Sequence, residues 1–284
     1  MKSFPLISIG VPVYNEQDHI SEALESLISQ DYPRIEIIIS DNGSSDNTPN
    51  ICQQYASNHP SIIYHMHDSN RGPGFNFEFV LSKANGEFFM WASGHDMWEN
   101  NYVSTCYNAL SENQSAVLCY GPARWISHSA DSVGQVSGGY DTTGLSIVSR
   151  FNMVFWGNMH PVLGLIKSEH LQSCSIINMV GSDLAILSHL CLRGDFAYRS
   201  SAIWYRREFR DEKSYADKLK RYKSQEYRLA QSSLSKLLPL ARLPIELIKI
   251  VLRSNIKIPA KALITLNLLL SLPIRYMAGK FTRD

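Results

Sequence analysis

Five short stretches hold the side chains whose types and spacing could do chemistry. Asn15-Glu16 follow the apolar run Ile7–Val13, and Asp41 closes a second apolar run. Gly94-His95-Asp96 come after Phe88–Trp91, Ser182-Asp183 open a helical pattern, and Tyr205-Arg206-Arg207 end a run starting near Ala197. In an open α/β sheet, ligands lie outside the carboxyl ends of the strands, and an acid after the second strand commonly takes a ribose hydroxyl. Asp41 has that position, and a carboxylate accepts from O–H or N–H alike. It also begins Asp41-Asn42-Gly43-Ser44-Ser45-Asp46, where a backbone turn by itself favours Asp, Asn and Gly. Glu16 is equally a nucleotide contact and a carboxylate placed at a helix start. The first loop, Gly10-Val11-Pro12-Val13-Tyr14-Asn15-Glu16, lacks the G-x-G-x-x-G pattern, so the nucleotide site is not of the dinucleotide kind.

The elements that must position these groups follow from periodicity. Strands are expected at Leu6–Val13, Glu36–Ser40, Ser61–His65, Glu87–Ala92 and Ala116–Tyr120. Helices are expected at Gln17–Gln30, Asn47–Asn58, Phe75–Ala84 and Glu99–Glu112, with Asp46 and Asn47 as cap residues. This alternation predicts an α/β fold built on a doubly wound, mostly parallel sheet. Beyond Gly121 the pattern loosens, and Gly134, Gly138, Gly139 and Gly144 mark a loop. Further elements are expected at Thr142–Phe155, Val162–Ser168, Leu184–Arg193 and Ala197–Arg206, with Ser182 as the cap of the third.

The pairing of Pro12-Val13-Tyr14-Asn15-Glu16 with Asp41-Asn42-Gly43-Ser44-Ser45-Asp46 resembles the nucleotide-binding half of family 2 glycosyltransferases of the GT-A fold. The resemblance is strong over residues 6–125, weaker over 150–207, and general in the tail. It implies that Asp41 contacts the base or ribose and that Pro12, Val13 and Tyr14 line the base pocket. Asn70 and Gly72 keep the form of the family's N-x-G loop. Arg71 between them then faces base or diphosphate, or is a solvated loop arginine. Family members carry Asp-x-Asp or three aspartates where this chain has Gly94-His95-Asp96. Asp96 matches the metal-binding Asp, and Gly94 stands where the first would be. One carboxylate with substrate phosphates and water makes an adequate Mg²⁺ or Mn²⁺ site. His95 is either a further ligand to metal or diphosphate, or structural.

The same resemblance implies that Asp183 is the general base for the acceptor hydroxyl, giving in-line displacement with inversion. The alternative is a first-turn Asp favoured by the helix dipole. Arg206 and Arg207 fit a basic patch for diphosphate or a phosphorylated acceptor, or a surface cluster. Trp156, with Asn158 and His160, falls in the acceptor region, where an aromatic face suits a sugar and also suits a core.

Composition divides the chain. Residues 1–212 hold 12 Lys and Arg against 22 Asp and Glu, while residues 213–284 hold 15 against 4. The expected domains are 1–210, with a nucleotide-sugar half (1–125) and an acceptor half (126–210), and a helical basic extension, 211–284. The extension starts as a polar helix, Asp211–Gln231. It continues over 234–281 as apolar stretches broken by Lys236, Arg242, Lys249, Arg253, Lys257, Lys261 and Arg275. Its longest uncharged run, Ala262–Ile274, has 13 residues, short of the roughly 20 that span a bilayer. Pro239, Pro244, Pro259 and Pro273 are expected to cut it into short helices. Such helices suit the surface of an anionic membrane, or a packed cap or homodimer contact.

The five cysteines form no C-x-x-C pair, which predicts free and mostly buried thiols in a reducing compartment. Met1-Lys2-Ser3-Phe4-Pro5 leads directly into a strand, so no signal peptide is expected. The reading is an inverting transferase using a nucleoside-diphosphate sugar, UDP-linked by preference. Its acceptor is a glycan or lipid-linked acceptor of envelope polysaccharide synthesis, met at the cytosolic membrane face, and no nucleic acid is involved. A sugar-nucleotide-binding or membrane scaffold without catalysis is the alternative. A nucleotidyltransferase would need a Gly-rich phosphate loop with a basic residue, which is missing.

Overall fold

The computed structural model describes residues 4–171, 174, 179, 181–207 and 242–278. The polar run Asp211–Gln231 and the stretch 234–241 lie outside these residues. In chain order the elements are β1 Ile7–Val13, α1 Ile20–Ile28, β2 Ile35–Asp41, α2 Thr48–Asn58, β3 Ile62–Met66, α3 Pro73–Lys83, β4 Phe88–Trp91, β5 Met97–Trp98 and α4 Tyr102–Glu112. They continue as β6 Ala116–Tyr120, β7 Ala123–Ile126, β8 Ser132–Val136, α5 Ile147–Trp156, β9 Leu165–Lys167, α6 Ser182–Cys191, β10 Asp195–Tyr198, β11 Trp204–Arg207, α7 Arg242–Arg253 and α8 Ile258–Ala278. Two compact units result. One comprises Met1–Thr143, His160–Ile176 and Gly194–Phe209; the other comprises Gly144–Met159, Ile177–Arg193 and Arg210–Asp284.

The first unit is built on a seven-stranded sheet in the order β10-β6-β9-β4-β1-β2-β3, parallel except for β9, which runs antiparallel to β4 and β6. β1 and β2 are apolar on both faces because helices cover both, as a buried parallel sheet requires. Gly10 is needed in β1: a Cβ there would stand 2.7 Å from Val80 Cγ2 of α3 and 2.8 Å from the Phe89 ring. On α1, Ile20, Ala23, Leu24 and Leu27 form the helical-period stripe that enters the core, each larger side chain contributing about 2 kcal/mol. A four-stranded sheet, β5-β11-β7-β8, lies beside it, with Trp98 and Trp204 stacked 6.2 Å apart.

Two expectations change here. Residues Ala197–Arg206 are not one element. β10 belongs to the large sheet and β11 to the small one, with a turn closed by Ala202 N–H to Arg199 O at 3.1 Å between them. The glycine-marked loop contains the hairpin β7–β8, with Gly134 at φ +75° inside its second strand. None of the five cysteines is in a disulfide and four are buried, as expected.

Among the described residues the second unit is helical, formed by α5, α6, α7 and α8. α6 is buried all round from Leu184 to Cys191, and Arg150 Nε of α5 donates to Cys191 O at 2.5 Å. Its cap is Gly181 at φ +83°, one residue before the expected Ser182; a Cβ there would meet Leu243 of α7 at 2.7 Å. Pro239 lies outside the described residues, and of the other three prolines only Pro273 fails to divide the tail. Pro244 and Pro259 occupy first turns, where no amide donor is needed, and α8 continues through Pro273 for 21 residues. Counting from charge to charge missed that Lys261 and Arg275 lie within one helix. By length and composition alone, Ile258–Arg275 could cross a membrane.

Candidate active site

Parallel register sets the carboxyl ends of the strands at one edge of the sheet: Val13 lies opposite Asp41, and Ala92 N–H continues β4 by donating to Gly10 O at 2.9 Å. The loops after β1 and β2 are sewn together there. Asn15, at φ +54°, donates its amide to Ser44 Oγ at 2.9 Å and accepts on its side-chain oxygen from Ser45 N–H at 2.9 Å. Glu16 N–H donates to Thr48 Oγ1 at 2.8 Å and Gln17 N–H to Asp46 Oδ2 at 3.1 Å, while Asn47 N–H donates to Gln17 Oε1 at 2.8 Å. Asp46 Oδ1 also accepts from Thr48 N–H at 3.0 Å, whereas Asn47 holds the cap position of α2 without a side-chain cap bond. The two motifs that looked separate in sequence are one hydrogen-bonded lock.

Asp41 is fully buried. Its Oδ1 accepts from Ser44 N–H at 2.8 Å and its Oδ2 from the Tyr64 hydroxyl at 3.0 Å, so the turn-forming role is realised. Val13 is core, Pro12 half-buried and Tyr14 exposed. Two residues not singled out from sequence stiffen this edge. Asn42 donates to Asn70 Oδ1 and Gly72 O at 3.0 and 3.1 Å and accepts from Arg71 N–H at 2.9 Å. Asn76 donates to Val13 O and Ser40 O at 3.2 and 2.9 Å. Only the asparagine of the turn motif gave a signal for the first, and nothing did for the second. Arg71 is exposed and lies 3.6 Å over the Phe75 ring.

The Gly94-His95-Asp96 turn faces the β1 loop. A Cβ on Gly94 would sit 2.9 Å from Val13 Cγ1 and 3.1 Å from Glu16 Cγ, so the loop closes over the place where the resemblance implies a carboxylate. Glu16 Oε1 instead meets His95 Nδ1 at 2.9 Å. Burial works against the His95 imidazolium, yet the Glu16 hydrogen bond and the charges of Asp96 and Glu16 outweigh it and raise the pKa. Asp96 is 3% exposed; its Oδ2 accepts from Ser93 Oγ at 2.5 Å and its Oδ1 from Arg207 N–H at 2.9 Å. Burial raises its pKa, against the lowering effect of His95, Ser93 and Arg207. Among the described residues no three His, Cys, Asp or Glu side chains converge on a metal position. Each oxygen of Asp96 has a second lone pair. An ion held here would be anchored by one carboxylate and otherwise ligated by diphosphate and water, not caged by protein.

Asn15, Glu16, Asp18, His19, His95 and His128 line an open cleft of about 320 Å³. Arg207 lies beneath it, fully buried. It donates Nε to His95 O at 3.1 Å, Nη1 to Ser127 O and His128 O at 3.2 and 2.5 Å, and Nη2 to Glu22. It fastens the end of β11 to the motif turn. Arg206 is the accessible member of the pair, with Nη1 2.9 Å from His160 Nε2 and its guanidinium 5.5 Å from the Trp125 ring centre. Burial and Arg206 lower the His160 pKa to about 4. The folded state then resists a proton that the unfolded chain takes near pH 6.5. Stability is full above that value and falls between about pH 6.5 and 4, by on the order of 3 kcal/mol. Chemical denaturation of His160→Gln against the parent at pH 7 and pH 4.5 should show a smaller acid loss in the variant; equal losses would remove His160 from the account.

Asp183 and Trp156 belong to the helical unit. Asp183 is exposed in the first turn of α6, and Trp156 is exposed at the last residue of α5.

Residues 8–144 match the family model "Glycosyl transferase family 2". Over that stretch the chain is similar to family 2 glycosyltransferase domains. An uncharacterized glycosyltransferase of Rickettsia felis is 32% identical over 133 residues, 45% of this chain and 21% of that protein. The glycosyltransferase GlyA of Streptococcus pneumoniae is 30% identical over 111 residues, 39% of this chain and 16% of its own length. The chain thus spans between 17% and 36% of the length of the first curated relatives it matches. Among solved structures, S. aureus TarS 1–349 in complex with UDP-GlcNAc superposes with a TM-score of 0.68 at 18% identity, covering 94% of this chain and 73% of that one. Mannosyltransferase PcManGT from Pyrobaculum calidifontis, in complex with GDP-Man and Mn²⁺, gives 0.56 at 18% identity, covering 97% and 84%. These likenesses establish the GT-A fold.

Proposed function

We propose that this protein transfers a sugar, with inversion, from a nucleoside-diphosphate sugar to a glycan or lipid-linked acceptor of envelope polysaccharide synthesis. One observation carries the reading: the ends of β1, β2 and β4 bring the Asn15-Glu16 loop, the Asp41 turn and the His95-Asp96 turn to one sheet edge, inside the stretch that matches family 2. The donor's base lies along Pro12–Tyr14 and Asp41, with Arg71 beside it. Its diphosphate lies against His95, Asp96 and Arg206. A Mg²⁺ or Mn²⁺ ion on Asp96 supplies positive charge against the departing diphosphate. Asp183 takes the acceptor proton, so the acceptor oxygen attacks opposite the leaving group. UDP is the preferred nucleotide, since the TarS neighbour holds UDP-GlcNAc, although PcManGT holds GDP-Man. The site works on the cytosolic face of a membrane, and a homodimer is compatible with it.

The inactive-binder reading draws on one observation, the glycine at position 94 with Asp96 already engaged by Ser93 and Arg207. Thermal unfolding with UDP, GDP, dTDP or CMP, with and without Mn²⁺, separates the readings, because a ligand of the folded state raises its melting temperature. UDP with Mn²⁺ should stabilise the protein, and Asp96→Ala should remove the metal-dependent part. Stabilisation without turnover of any UDP- or GDP-sugar favours the binder; no shift with any nucleotide sinks both.

A further inference from the structure

The two C-terminal helices carry an apolar surface that their own unit does not use. α8 packs inward through Ile264, Leu268 and Leu272, a stripe at spacing four that is at most 6% exposed. On its other side Ile258, Leu263, Leu266, Leu269, Leu270 and Ile274 are between 52% and 81% exposed. Ile245 and Leu252 extend the set onto α7. Eight of the sixteen large apolar side chains that are exposed among the described residues therefore lie on two helices. Isolated exposed leucines are ordinary, but a continuous apolar face marks a contact surface.

From Lys249 to Arg275 the charges on these helices are of one sign. Lys249 and Arg253 lie on α7, Lys257 precedes α8, and Lys261 and Arg275 lie on it; no carboxylate occurs between Lys249 and Arg275. Glu246, paired with Lys249 at 2.9 Å, is the nearest acid in sequence. Lys261 is drawn toward α7, donating to Leu252 O at 2.7 Å. A flat apolar strip with a lysine and arginine edge complements anionic headgroups over acyl chains, with each basic residue adding to the attraction.

The same helix has the length to cross a bilayer, but its packing opposes that. Arg275 donates to Phe155 O, and its guanidinium stands 5.0 Å from the Phe155 ring centre, while the inner stripe is covered by its own unit. Spanning would strip these contacts and place Lys261 and Arg275 in hydrocarbon or at its borders, where charges are costly.

We infer that the outer face of α8, continued by Ile245 and Leu252 of α7, docks onto an anionic bilayer with α8 lying in the membrane plane. This deepens the membrane part of the proposed function by naming the surface. It places the transferase where a lipid-linked acceptor is found.

Co-sedimentation of the full chain with phosphatidylcholine vesicles holding about 30% phosphatidylglycerol tests it, beside vesicles of phosphatidylcholine alone. Binding is expected to be about tenfold tighter to the anionic vesicles and to weaken in high salt. Leu266→Asp with Leu270→Asp should abolish it while the UDP-induced stabilisation persists. Arg253→Glu with Lys257→Glu, which leaves the apolar face intact, should lower the anionic preference and covers the case in which the first pair fails to fold. Alkaline carbonate should release the protein from membranes of expressing cells. Retention after carbonate means a spanning helix and overturns the in-plane placement. Vesicle binding that ignores both variant pairs, or no binding at all, overturns the surface. So does self-association in solution that the leucine variants abolish, which would make a second copy the occupant. Loss of vesicle binding with nucleotide stabilisation intact leaves the donor reading standing, and loss of nucleotide stabilisation alone leaves this one.

Discussion

Asp183→Asn should leave nucleotide affinity unchanged within about twofold and cut turnover by roughly 10²–10⁴-fold, the range for removal of a positioned general base. The asparagine keeps the volume and a polar atom in the first turn of α6 but cannot accept the acceptor's proton. The competing role for the same residue is dipolar. A carboxylate two residues after the Gly181 cap is favourable by about 0.3–1 kcal/mol, and nothing in that role touches chemistry. The two roles thus predict opposite patterns. Catalysis predicts a collapse of turnover at nearly constant melting temperature. A helix-start carboxylate predicts a slightly lower melting temperature with turnover retained. Turnover with the best donor found by thermal unfolding, measured beside nucleotide affinity by calorimetry, decides between them. The stereochemistry of the product bears on the same step, because a single displacement assisted by one base inverts the anomeric carbon, and a retained configuration would exclude it.

The parallel core was legible because buried parallel strands read as unbroken apolar runs and their helices as stripes of period 3.6. Ile7–Val13 and Ile35–Asp41 differ from the expected bounds by only one residue at an end. What sequence could not supply was which polar groups meet. The lock between Asn15-Glu16-Gln17 and Ser44–Thr48 joins positions about thirty apart, and either half alone looks like a turn or a cap. Gly94 read as a missing carboxylate, when its tight fit against Val13 and Glu16 gives it a packing reason. The small sheet was missed for a related cause. β5 has two residues and β11 four, too short for any period to register, and they pair over more than a hundred positions of chain. Adjacent arginines were also indistinguishable on paper. A strand sends neighbouring side chains to opposite faces, so Arg206 and Arg207 cannot share an environment.

That last point carries the largest expected effect on stability. Arg207→Met should destabilise the protein by about 3 kcal/mol, since removing one partner of a buried charged network strands the other groups without donors. Methionine matches much of the stem's volume, so the loss is polar more than steric. The groups stranded are the carbonyls of His95, Ser127 and His128 and the carboxylate of Glu22; Glu22 is half exposed, which keeps the figure at the low end for such networks. The backbone bond from Arg207 N–H to Asp96 is untouched by the substitution. Any weakening of nucleotide binding must then come through displacement of the His95-Asp96 turn. Urea denaturation measures the first effect and nucleotide titration of the still-folded variant the second. A variant as stable as the parent but unable to bind nucleotide would return Arg207 to the diphosphate and show that the cleft rearranges around a bound donor.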